Sequence, residues 1–380
     1  MDRRMGLESL YGVGGGTISR EAQKNLDKAE DLCRKKKPEK AIPFLMKALE
    51  DPNNLDAAVQ LAFVMPNMDM SLNVLEDTEK KGNISTVGCR AHLLRTLGPD
   101  AFDDNGDSVG YFWGLIETRP YMRVLQAIIR VSFEKGDFAK SANTIAETLR
   151  LCPGDNMGQR DWMGSVLIKA GRIQDALSFC QAWTEPETMR TGTPPPLGGC
   201  KFDPPSQTPL SQERLGGFKY CESSLIYPAA LAAFKLWGDC ELARQYLKLA
   251  AELNPHVLRK ILARAEQPAG LNHLPRTPNG PEQGHDYLWL TQDLWMVPDV
   301  WAWADGDVAK EAVLKTCSRP GCGRRETTVA QFKCCGACKD AVYCGQECQK
   351  KDWKAHKPKC QERRKLKDTI RAMQRPRSTG

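Results

Sequence analysis

A chain of 380 residues, 41% hydrophobic and 27% charged, is long enough for two or more folded units. The formal net charge of +7 is uneven: residues 351–380 hold eleven Lys/Arg against three Asp/Glu, a local +8. The remainder is therefore near neutral, which argues against a nucleic-acid surface on the larger part. Residues 1–10 are charged with no apolar core after them, and the most apolar run, 225–237, is too short to span a bilayer and contains Pro228 and Lys235. The expectation is a soluble intracellular protein, cytoplasmic or nuclear, with no membrane partner. In that setting fifteen cysteines point to metal rather than to disulfides.

Residues 1–19, with Gly12 and the run Gly14, Gly15, Gly16, read as a disordered tail. The glycines make no phosphate loop, since no Lys-Ser/Thr follows and no strand precedes. From Glu21 the period turns helical, with Leu26, Ala29, Leu32 and Cys33 at three- and four-residue intervals. Residues 20–266 then contain an internal repeat. GDCELARQYLKLAAELNP (238–255) carries Gly238, Ala243, Leu247, Ala250 and Pro255. GRIQDALSFCQAW (171–183) carries Gly171, Ala176, Cys180 and Trp183, with Gly164 twelve positions before Ala176. GDFAKSANTIAETLRLCP (136–153) carries Ser141, Ile145, Thr148, Leu149 and Pro153, and Ser141 stands 35 positions before Ala176. AIPFLMKALEDP (41–52) is a degenerate copy with Ala41, Leu45, Ala48 and Pro52. These segments resemble the second helix of a tetratricopeptide (TPR) repeat, in which small residues let neighbouring helices approach. The resemblance implies a TPR-like α-solenoid, whose units bury their apolar faces by stacking. ETRPYMR (117–123) and GDNMGQRDW (154–162) are similar to motifs in one group of TPR proteins. Glu117, Arg119 and Arg123 could line a ligand groove there, but capping or structural pairing is the preferred reading.

Residues 98–110 collect Asp100, Asp103, Asp104 and Asp107. Counted from Asp103, position 12 of a calcium loop would be Gly114 instead of Glu, so the stretch reads as an acidic loop. Residues 187–217, rich in Pro and Gly, read as a flexible insertion. A helix over 257–266 caps the repeats. Residues 267–314 read as a linker, Pro/Gly-rich to 284, and a Trp-rich segment with Trp289, Trp295, Trp301 and Trp303. Those four could form a recognition cage, but packing onto the last helices is favoured.

The most informative stretch is 315–361. Cysteine and histidine fall there in four pairs, Cys317/Cys322, Cys335/Cys338, Cys344/Cys348 and His356/Cys360, with four, two, three and three intervening residues. A tetrahedral structural zinc takes four such ligands, so eight make two closed sites with no position left for a substrate water. Cys334 abuts Cys335 and reads as a bystander, because Cys335 alone leaves two residues before Cys338. Some 45 residues cannot fold on their own apolar burial, and structural zinc can supply on the order of 10–16 kcal/mol. Tyr343-Cys344, Cys348-Gln349, Asp352-Trp353, His356 and Cys360 resemble the MYND-type finger more than RING or PHD patterns; the first pair is wider than the family's usual two-residue gap. The resemblance implies interleaved wiring, with Cys317, Cys322, Cys344 and Cys348 on one zinc and Cys335, Cys338, His356 and Cys360 on the other. It also implies that Gln349 and Trp353 contact partner peptides, often Pro/Leu-containing, though Trp353 could equally be the finger's core. Residues 362–380 form a basic tail, helical to 374, which reads as a solvated helix ahead of an import signal or nucleic-acid contact.

The fold expected is thus mainly α, a TPR-like solenoid followed by a MYND-type finger. The function expected is a non-enzymatic adapter. A SET-type methyltransferase would need an Asn-His motif, and Asn272-His273 lies in a Pro-rich linker with no strand-like sequence to host it.

Overall fold

The computed structural model describes residues 6–80, 89–272 and 274–373. Residues 1–5 of the expected tail, His273 of the Asn-His pair and 374–380 of the basic tail lie outside the described residues. The chain forms two compact units, Met1–Ser206 and Gln207–Gly380. Both are helical, and strand is confined to two two-residue segments among the described residues. No described helix is long and apolar enough to cross a membrane.

The first unit comprises α1 (Leu7–Tyr11), α2 (Arg20–Arg34), α3 (Pro38–Ala48), α4 (Leu55–Ala62), α5 (Met68–Lys80), α6 (Arg90–Thr96), α7 (Arg119–Lys135), α8 (Phe138–Leu151), α9 (Arg160–Lys169), α10 (Ile173–Trp183) and α11 (Pro186–Thr191). Three of these helices start at side-chain caps: Ser19, Asn54 and Asp137 each accept an amide of the first turn. Helices adjacent in sequence pack as hairpins, α2 on α3, α7 on α8 and α9 on α10. The small residues picked out by the repeat sit where these helices touch. Ala41, Ser141 and Ala176 are fully buried, and Ser141 Oγ donates to the Ile129 carbonyl of α7 (3.0 Å). Gly136, at φ 90°, ends α7 in the left-handed conformation that a β-carbon disfavours.

Two expectations are corrected in this unit. Residues 6–19 are folded, not a disordered tail. Glu8 on α1 is buried and accepts from Arg123 Nη1 (3.0 Å), Arg123 Nη2 (3.2 Å) and the Gly14 amide (3.0 Å). The same guanidinium clasps Asp56 of α4 through Nε (2.7 Å) and Nη2 (2.9 Å). Arg119 Nε donates to the Trp113 carbonyl (3.0 Å). Arg119 and Arg123 are thus spent on structural pairing, as preferred, and Glu117 is left exposed. Asp155 of the second motif likewise accepts the Gln159 and Arg160 amides at the start of α9 (2.7 and 2.8 Å), and burial pushes its carboxyl up to about 6.

The second correction concerns 187–217. Trp183 Nε1 donates to the Gly198 carbonyl (3.0 Å). Gly198 (φ 62°) lies so close to α8 that a β-carbon would stand 2.6 Å from the Leu149 carbonyl oxygen. Gln181 acts as a peptide mimic, donating to the Ser206 carbonyl (2.7 Å) and accepting its amide (2.8 Å). Composition suggested flexibility, but these long-range side-chain clamps hold the segment.

The second unit comprises α12 (Gln212–Gly217), α13 (Ser223–Trp237), α14 (Glu241–Leu253), α15 (Pro255–Leu262), α16 (Pro281–Trp295), α17 (Pro298–Ala304), α18 (Asp307–Val313), β1 (Lys333–Cys334), β2 (Val342–Tyr343) and α19 (Gln346–Met373). Here α13 and α14 form the hairpin, with Ala243 and Ala250 fully buried. Gln245 repeats the clamp, accepting the Leu210 amide (2.7 Å) and donating to its carbonyl (3.1 Å).

The expected linker, 267–314, is mostly helix. Its loop is pinned by Asp286, which takes the Asn272 amide (2.6 Å) and pairs with Arg276. Trp295, Trp301 and Trp303 are used in packing within this unit. Trp295 is fully buried and donates to Tyr287 Oη (3.0 Å), Trp303 stacks on Phe234 (ring centroids 4.3 Å) and Trp301 donates to the Ile261 carbonyl (3.1 Å). Helix α18, packed on α14 and α15, leads directly into the finger.

One buried carboxylate fastens that junction. Glu326 has a fully buried side chain and accepts from Arg259 Nη1 of α15 (3.0 Å), the Lys315 amide (2.8 Å) and the Phe332 amide (3.0 Å). Burial alone would raise its pKa; Arg259 and the two amides more than offset this and hold it below the ordinary carboxylate range. Removing one member of such a pair strands the other, at a cost of about 3–5 kcal/mol. Arg259→Met and Glu326→Gln should each destabilise the second unit by about that amount, and the double variant by less than their sum. Urea denaturation of the four-member cycle measures it. A coupling below about 0.5 kcal/mol would show that the pair does not hold the finger.

Candidate metal centre

The finger is built from two loops and a helix. In the first loop the Cys317 amide bonds the Arg324 carbonyl (2.8 Å), and Gly321 and Gly323 take positive φ (74° and 65°), which closes the wide Cys317–Cys322 gap. In the second, β1 and β2 pair antiparallel, Lys333 opposite Tyr343 and Cys334 opposite Val342, and the turn between them presents Cys335 and Cys338. Helix α19 supplies Cys348, His356 and Cys360, the last two one turn apart on one face.

This arrangement gathers the eight predicted residues into two groups of four. Cys317, Cys322, Cys344 and Cys348 form one; Cys335, Cys338, His356 and Cys360 form the other. Within each group the donor atoms all lie within 4.8 Å of one another. A tetrahedral zinc with bonds of about 2.3 Å to sulfur and 2.0 Å to nitrogen sets S···S edges near ~3.8 Å and S···N edges near ~3.6 Å. The first group shows 3.8, 3.7 and 3.4 Å between Cys322, Cys344 and Cys348 sulfurs. The second shows 3.9 Å for Cys335 to Cys360 and 3.6 Å for Cys338 Sγ to His356 Nε2. The residues therefore fit zinc. Cys334, on β1, is exposed and joins neither group.

Crowding splits the thiol acidities. The Arg324 amide brings Cys322 down to about 6, while the hydrogen bond that the Cys344 thiol donates to Cys348 sends Cys344 up to about 12. When bound, zinc holds all its sulfurs as thiolates and ties the two loops to the helix.

The groups sit on a small core of Phe332, Val342 and Tyr343. Tyr343 Oη donates to the buried Asp352 carboxylate (2.7 Å), joining β2 to α19. That contact accounts for two of the residues that carried the MYND resemblance. Trp353 is not in this core: it is 42% exposed, its ring 6.0 Å from that of His356. Gln349, one turn earlier, is half-buried.

Residues 314–360 match the family model described as the MYND finger. This segment is a MYND-type zinc finger with two structural zinc sites. Among curated proteins, the chain is similar to two F-box proteins of Arabidopsis thaliana, each 46% identical over 48 residues, 12% of this chain and 14% or 13% of theirs. It is also similar to SET domain-containing protein 14 of Caenorhabditis elegans, 49% identical over 39 residues, 10% of this chain and 9% of that one. The chain thus spans only 9–14% of the length of these relatives. No solved structure matches it.

Sequence reasoning missed Arg319, which lies inside the wide first gap. Its Nε donates to Cys348 Sγ (3.2 Å). Four thiolates around a dication carry more excess negative charge than three thiolates and a neutral histidine, and the guanidinium stands at the four-thiolate group. Purified protein should hold two zinc ions by metal analysis; Cys334→Ser should keep both and Cys335→Ser should lose one. Arg319→Ala should weaken one site alone, by about 10–100-fold, in chelator competition. Unchanged affinity at both sites would remove Arg319 from the metal centre.

Proposed function

We propose that this chain is a non-catalytic adapter that captures partner peptides on its MYND finger. The observation that carries this is the division of labour on α19. Both metal groups have four protein donors each, so neither offers the open position a catalytic zinc needs. Beside them Trp353 is a large aromatic that stands outside the finger's core and is 42% exposed, and Gln349 stands one turn away. Exposed aromatic anchors commonly dominate peptide interfaces. MYND fingers bind Pro/Leu-containing peptides, and the same class of partner is proposed here.

The first unit supplies a second candidate surface. A groove of about 480 Å³ is lined by Glu76, Arg90, Tyr121, Lys140 and Glu147 among others, from α5 to α8. We read it as the peptide groove of a TPR-like stack. Neither Arg119 nor Arg123 lines it. A methyltransferase reading has less support: a SET domain is β-rich, and the described residues contain two two-residue strands.

On the zinc-loaded protein, Gln349→Ala should keep two zinc ions and weaken a Pro/Leu-containing peptide several-fold in calorimetry. A second groove, about 530 Å³, runs along another side of α19 past Ala355, Lys359 and Leu366, and neither Gln349 nor Trp353 lines it. Ala355→Arg should therefore leave binding unchanged. Full affinity in Gln349→Ala, or its loss in Ala355→Arg, would move the site elsewhere.

A further inference from the structure

The structure sorts the basic residues of α19 into two classes. Arg363 and Lys367 are engaged with Asp340, and Lys351 pairs with Glu347. Lys350, Lys354, Lys357, Arg364 and Lys365 are exposed and have no ion-pair partner among the described residues. Lys350, Lys354, Lys357, exposed Gln361 and Arg364 follow spacings of four, three, four and three, the pattern of a single helix face, and Lys365 stands four residues after Gln361 on the same side. At about 1.5 Å per residue the stripe is roughly 22 Å long. It begins inside the finger, between the Cys348 and His356 ligands, and so stands on the part of the helix that the metal groups fix.

We propose that this stripe binds the phosphate backbone of double-stranded DNA. Five unpaired cations along one helix suit a polyanion whose charge repeats every ~1.7 Å of axis. B-form DNA has a major groove of about 12 Å, wide enough for an α-helix, whereas that of A-form RNA is deep and narrow. A single-strand platform stacks successive bases on several aromatics, and Trp353 alone flanks the stripe. A membrane-surface helix needs an apolar face free to insert. Here the side carrying Asp352, His356 and Cys360 is turned into the finger instead. This surface is distinct from the peptide reading of Gln349 and is tested without altering that residue.

The test uses the full chain loaded with two zinc ions and a fluorescent 25-base-pair duplex of arbitrary sequence, followed by anisotropy. Binding should be detectable at micromolar protein in about 50 mM salt. A plot of log affinity against log salt should fall with a slope of about −4.5, as five phosphate contacts require. Lys350→Glu/Lys354→Glu/Arg364→Glu should retain zinc and peptide binding but lose DNA affinity at least tenfold. The control Lys24→Glu/Lys28→Glu/Lys35→Glu, in the first unit, should not. No duplex binding by the parent protein, or a triple α19 variant equal to it, would overturn the proposal. So would competition by poly-glutamate, single-stranded DNA, duplex RNA or phosphatidylserine vesicles as effective as that by unlabelled duplex at equal charge.

Discussion

Sulfur atoms packed less than 4 Å apart cannot all carry negative charge unless a cation shares their space. The C-terminal finger is organised by that constraint. Its apolar core is three side chains, Phe332, Val342 and Tyr343, too few to fold a segment of its size. Every other device in it positions donors. The positive-φ glycines shape the first loop, the β1–β2 pair presents the second, and the Tyr343–Asp352 bond sets the height of α19 against both. The interleaving follows: each group draws one pair from before β2 and one from after it, so neither site can form until loops and helix have come together.

Outside the finger the same theme recurs with protein charges in place of metal. Glu8 and Asp56 converge on Arg123, and Arg259 converges with two amides on Glu326. In each case a carboxylate far away in sequence would be costly to bury alone and becomes tolerable only against a guanidinium. Such contacts order segments whose composition promises little. Glu8 folds a glycine-rich stretch, Glu326 roots the finger on α15, and Gln181 and Gln245 hold proline-rich chain by imitating a peptide unit.

This explains what was legible in the sequence. The helical hairpins were visible because periodicity and small residues are local signals, and Ser141, Ala176 and Ala243 sit at the contacts they predicted. The metal residues were visible because ligand spacing is local within each pair. The order of residues 6–19, 187–217 and 267–280 was not, since it depends on single polar side chains 10 to over 100 positions away, as with Asp286 to Arg276 and Arg123 to Glu8. Arg319 escaped for a different reason. One arginine in a loop looks like solvated charge until the fold brings Cys348 within 3.2 Å of it.

Helix α19 shows how one element can separate several tasks by angle alone. Each residue turns the helix by about 100°. His356 and Cys360, with Asp352, point into the finger; Ala355, Lys359 and Leu366 face a groove whose edge Asp352 and His356 share; Lys350, Lys354, Lys357 and Arg364 face water. Pro358 lies within the helix, where it removes the amide that would bond the Lys354 carbonyl. The helix continues past this missing bond, and within one turn of it His356 and Cys360 converge on Cys335 and Cys338. Metal ligation on the inner side therefore compensates for a weakness in the backbone, and the outer sides are left free to vary their chemistry without disturbing the fold.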